Sequence, residues 1–151
     1  MSRERDIRNW IRTTLEATDL FDNVDLTGDP IAYSEGQITS NTAIVDPIKS
    51  SDATLWDGGP LDGIETTCMI RIRVVTNDND SQVRDERCER LMNQVKVSLD
   101  GTNLGSSDVV PAMTYVSDVK WADAEAPMRQ IECHLYFRYL TSSSASFDVT
   151  E

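Results

Sequence analysis

The chain has little cysteine, one histidine, few basic residues and no long apolar run, and each shortage excludes something. No apolar run approaches the roughly 20 residues that a membrane-spanning helix needs, so no membrane partner is expected. The start, Met-Ser-Arg-Glu-Arg-Asp, leads into an amphipathic pattern rather than an apolar signal core, and the protein is expected to stay in the cytosol where it is made. Three cysteines, an odd number without paired spacing, argue against a disulfide framework. Cys68, Cys88 and Cys133 each fall on the apolar face of an expected strand or helix, where a free thiol acts as a small hydrophobe. Cys133 and His134 are neighbours on an expected strand and point to opposite faces, so they do not make a metal site. The turn at Asn77-Asp78-Asn79-Asp80 lacks the glycine and the bidentate glutamate of a calcium loop. No Gly-x-Ser-x-Gly elbow and no glycine-rich phosphate loop occurs. No cofactor and no metal are therefore expected. Fourteen Lys and Arg against 26 Asp and Glu give a net charge of −12. The densest basic group, Arg3, Arg5, Arg8 and Arg12, is diluted by Glu4, Asp6 and Glu16, which excludes a conventional nucleic-acid-binding module.

What is present is a strand, a turn and a helix in residues 64–99. Ile64, Thr66, Cys68, Ile70, Ile72 and Val74 alternate with Glu65, Thr67, Met69, Arg71, Arg73 and Val75, as in a strand with one buried face. Val83, Cys88, Leu91, Met92, Val95 and Leu99 then repeat at helical spacing. Asp80 or Ser81 is the natural N-cap, and Asp100-Gly101 ends the helix. An earlier helix over 4–18 follows from Ile7, Ile11 and Leu15, with Leu20 and Phe21 folding back onto the core. A short strand is expected near Ile31–Tyr33 and another over 38–48, interrupted by Pro47. Residues 49–63 read as a long loop between strands. Leu55 and Trp56 in that loop either tuck back onto the domain or, with Leu61, anchor a partner.

Residues 102–111 read as a polar connection. Met113, Tyr115, Ser117, Val119 and Trp121 line one face of a strand over 112–122. Ile131, Cys133, Leu135, Phe137 and Tyr139 line one face of the last strand, and the two strands form an antiparallel hairpin. The expected fold class is α+β: a mixed, mainly antiparallel sheet packed by two helices, in one domain over 1–140. A flexible Ser-rich tail is expected over 141–151, in which Phe147 and Val149 could dock on a neighbour as an added strand. Glu132, His134 and Arg138 share a polar strand face. They would line the pocket of a cone-shaped α+β enzyme or ligand-binding domain, or simply form a half-exposed face.

Three passages carry a likeness to a family. They are the helix Arg5–Thr18, the Thr66–Val75 strand with its Asn77–Asp80 turn and Arg84–Leu99 helix, and the Trp121–Pro127 turn leading into Ile131–Tyr139. In size and layout the chain resembles the tail terminator proteins of long-tailed bacteriophages, also called tail completion or minor tail U-like proteins. The resemblance implies a structural protein of the virion tail or neck, made in the bacterial host cytoplasm, and not an enzyme. It implies a ring of identical copies, commonly a hexamer, that caps the tail tube and meets the neck or head–tail connector protein. Genomic DNA would only pass through the lumen, where an acidic wall keeps it from sticking. A ring needs two different faces of one chain to meet. Met69, Arg71, Arg73 and Val75, with Arg138, are the candidate subunit contacts, meeting an acidic neighbour or forming a solvated sheet face. A neck (head–tail joining) protein and a tail tube subunit are the related readings.

Overall fold

The computed structural model describes residues 3–26, 41–54, 63–124 and 127–142. Helix α1 spans Arg3–Glu16 and α2 spans Ser81–Leu99. The strands are β1 (Asn23–Asp25), β2 (Thr42–Thr54), β3 (Gly63–Asn77), β4 (Tyr115–Ala122) and β5 (Met128–Ser142). They form one sheet in the order β1-β2-β3-β5-β4. The β1–β2 pair is parallel and the others are antiparallel, which gives the expected mixed α+β architecture.

Alternation builds the core. Thr66, Cys68, Ile70, Ile72 and Val74 of β3 are buried, as are Ile131, Cys133, Leu135, Phe137 and Tyr139 of β5. This inner face shares one apolar cluster with Ile7, Ile11 and Leu15 of α1 and with Cys88, Leu91, Met92, Val95 and Leu99 of α2. Each large side chain fully buried there contributes about 1.5–3 kcal/mol relative to exposure. The Asp80 carboxylate caps α2, accepting from the backbone N–H groups of Gln82 at 3.0 Å and Val83 at 3.3 Å. Gly101 takes a left-handed φ of 69° just beyond the helix, a conformation that costs glycine no Cβ strain.

Several expectations are corrected. Pro47 does not interrupt β2. The strand runs on to Thr54 through a register shift between Pro47 and Lys49. Among the described residues β1 covers only Thr42–Ile44, so Pro47 has no strand partner on that side and its missing N–H costs no ladder bond there. Lys49–Thr54 is thus strand and β3 starts at Gly63, so both ends of the loop expected over 49–63 are strand, while residues 55–62 lie outside the described residues. β5 continues to Ser142, beyond the expected start of the tail at 141. Residues 143–151, including Phe147 and Val149, lie outside the described residues, as does the strand expected near Ile31–Tyr33. Val83 is 40% exposed, because the buried stripe of α2 begins at Cys88. Phe21 folds onto the core but Leu20 does not. The connection after α2 is not wholly polar, since Leu104 and Val109 join the core.

β4 departs most from expectation. Tyr115 and Ser117 lie opposite Tyr136 and His134, but the register then shifts before Lys120 meets Glu132. Asp118 has a left-handed φ of 56° at this bulge. The bulge splits the expected face: Tyr115 and Ser117 lie on one side, and Trp121, opposite Ile131, on the other.

Candidate assembly surface

The outer face of the sheet is the one that Arg71, Glu132 and His134 share. The β3–β5 register puts Arg71 opposite His134 and Arg73 opposite Glu132. The β2–β3 register puts Asp46 opposite Arg71. Arg71 donates to Asp46 through Nη2 at 2.8 Å and through Nε at 3.4 Å, a forked contact. Arg73 Nη2 lies 3.7 Å from the same carboxylate oxygen. Lys120 Nζ sits 3.5 Å from Glu132, and Arg138 lies 3.1 Å from Glu65. Charges of opposite sign therefore alternate across β2, β3, β5 and β4.

The electrostatics of the two arginines differ. The hydrogen bond to Asp46 raises the Arg71 pKa. Burial lowers that of Arg73, outweighing the attraction of Asp46. Arg73 Nε and Nη2 are buried without a hydrogen bond, so its guanidinium depends on the nearby carboxylate charge.

Beside this network, Asp118 accepts a hydrogen bond from the Tyr136 hydroxyl at 2.8 Å and lies 3.3 Å from His134 Nδ1. The Tyr136 bond, then the His134 contact, hold the Asp118 carboxyl below its ordinary range, and the same bond raises the Tyr136 pKa. Tyr115 stacks on Tyr136 with ring centroids 5.1 Å apart. Tyrosine, carboxylate and imidazole are an acid–base set by type, but Asp118 is exposed here. A cleft of about 180 Å³ lies elsewhere, between Glu4 and Arg8 of α1 and residues 47–50 of β2, with Met69 on its wall.

Of the candidate contacts, Arg71 and Arg73 meet around Asp46. Arg73 and Val75 lie on the same outer face but are only 8% and 2% exposed. Val75 belongs to a second small apolar cluster with Ile44 and Met128. The register places that cluster on the outer face at the end of β3 near Asn77. Met69, Arg71 and Arg138 remain partly accessible. Leu55, Trp56 and Leu61 lie outside the described residues. Sequence reasoning missed Asp46 and Asp118. The only signal for Asp46 was a carboxylate beside Pro47, and its partner depends on strand register. The three thiols are buried, and no described group of His, Cys, Asp and Glu is arranged to hold a metal ion. Among the described residues no helix is long and apolar enough to cross a membrane.

No protein-family model and no curated protein matches the chain. Among solved structures, it is similar to a chain from the virion of a native gene transfer agent (GTA) particle, with 17% sequence identity and a TM-score of 0.56. The likeness covers 89% of this chain and 92% of that one. At that identity the finding is a shared fold, spanning nearly the whole of both chains.

Proposed function

We propose that this chain is a structural protein of a phage-like virion, without enzymatic activity, and that it acts as a tail terminator. In this reading copies assemble into a closed ring, by expectation a hexamer. The ring caps the tail tube and presents a surface to the neck or head–tail connector protein, while genomic DNA passes through the lumen. The observation that carries the reading is the shared fold with a chain of the gene transfer agent virion, over 89% of one chain and 92% of the other. The charge-paired sheet face supports it, because it offers a polar contact surface for a neighbour rather than an enclosed site. A neck protein and a tail tube subunit are the related readings. They differ in how copies stack: a tube subunit must stack on itself, whereas a terminator must not.

The test is the mass of the purified protein in solution, followed by negative-stain images. Discrete rings are expected. Tubes of unlimited length would replace the terminator by a tube subunit. A single copy at every concentration reached would remove the assembly reading altogether.

A further inference from the structure

Among the described residues, β2 beyond Ile44 and β4 each have no strand on their outer side, and both are bulged. On β2 the register shifts between Pro47 and Lys49, which leaves Ile48 without a partner and 40% exposed. On β4 it shifts between Ser117 and Lys120, with Val119 41% and Trp121 38% exposed. Such bulges break the even row of N–H and C=O groups that an added strand needs. Each edge thus resists backbone pairing while holding apolar side chains in water.

The strand order sets these two edges on opposite sides of the molecule. Their chemistry is complementary. The β2 edge borders the cleft of about 180 Å³, which Pro47, Ile48, Lys49 and Phe137 line together with Glu4 and Arg8 of α1. The β4 edge has two apolar projections followed by Asp123. Lys49 and Asp123 are both exposed, and neither makes an ion pair among the described residues. Trp121 is also held in place: the Arg129 guanidinium lies 4.2 Å from its ring centroid, and Arg129 Nε lies 3.3 Å from Asp85. A side chain fixed before contact loses less entropy on binding.

We infer that the bulged β4 edge of one copy docks on the bulged β2 edge and cleft of the next, with Val119 and Trp121 against Ile48 and Lys49 paired with Asp123. The occupant of the cleft is a second copy of this chain, and the contact is made by side chains rather than by a continuous sheet. Two different patches meet, so the contact is heterologous and forms a ring when its rotation closes. The inference deepens the assembly reading above and rests on it.

Charge reversal tests it. Lys49→Glu and Asp123→Lys are each expected to raise the concentration of half-assembly about tenfold, and the double variant to restore it. Trp121→Ala is expected to weaken assembly independently of charge. Far-ultraviolet circular dichroism and melting confirm that each variant folds, which both surface charges permit. Rings that persist unchanged in all the single variants, or single variants that the double does not rescue, would overturn this interface while leaving the ring intact. A wild-type protein that stays a single copy would overturn both.

Discussion

Gly105 packs directly on the indole of Trp10, so a Cβ at this glycine would fall on the ring. Gly105 also has a φ of 74°, where an L side chain is strained. The contact joins α1 to the connection after α2, beside the fully buried Leu104. Gly105→Ala combines backbone strain with overpacking and is expected to cost about 3 kcal/mol. Urea denaturation measures it, and Trp10→Leu in the same background is expected to recover part of the loss by vacating the ring. An unchanged midpoint for Gly105→Ala would contradict the close packing.

Asp46 lies beside two guanidinium groups, and Arg73 has only a tenth of its side chain in solvent. Removing the carboxylate leaves the buried Arg73 cation with Glu132 as its remaining acidic neighbour, so Asp46→Ala is expected to destabilise the fold by about 3 kcal/mol. Replacing the cation by an apolar chain removes that cost, so Arg73→Met is expected to be nearly neutral. Arg71→Ala is expected to cost about 1 kcal/mol, because Arg71 is a third exposed and solvent screens its pair. The order of the three, read from denaturation midpoints, checks the argument. A destabilising Arg73→Met beside a neutral Asp46→Ala would reverse it.

The β3–α2 block was legible because two long periodic patterns meet at a capped turn. Alternation over β3 and β5 named the inner face residue by residue. It could not name the burial of Arg73 and Val75, since a polar face is partly covered for reasons that lie outside its own strand. Pro47 does not end its strand because the rule against strand proline assumes two neighbours, and among the described residues β2 has one there. The β4 pattern failed at Asp118, whose left-handed φ shifts every later side chain by a register step. Asp46 acquires its meaning only when the bulge after Pro47 fixes its position opposite Arg71. Local patterns fix which residues are apolar inside an element; the edges depend on which strand lies next.

The thiols tie stability to alkaline pH. Burial pushes the Cys133 thiol up to about 12 from 9.0, and burial likewise raises Cys88. A raised folded pKa gives stability that is complete below the unfolded value and lost as pH rises toward the folded one. The stability is therefore expected to fall between pH 9 and about 12, with Cys133 accounting for on the order of 4 kcal/mol of the full change. Cys133→Ala is expected to flatten that slope while lowering stability at neutral pH. Denaturation midpoints across the range read both effects, and an identical slope in the variant would assign the alkaline loss to other groups. At neutral pH a thiol reagent is expected to react with none of the three cysteines until denaturant is added.

Charge decides how the protein meets nucleic acid. A net charge of −12 repels duplex DNA over the Debye length, about 8 Å at physiological salt. The arginines that would offset this on the sheet face are already engaged: Arg71 by Asp46, Arg73 near the same carboxylate, and Arg138 by Glu65. Displacing those carboxylates for phosphates would exchange one ionic contact for another while adding the repulsion of the whole chain. Duplex DNA is therefore expected to show no retardation with the protein at about 150 mM salt. Neutralising Asp46 and Glu65 together should produce weak, salt-sensitive binding by freeing the accessible Arg71 and Arg138. Tight binding by the unaltered protein would end the case for an inert, acidic passage.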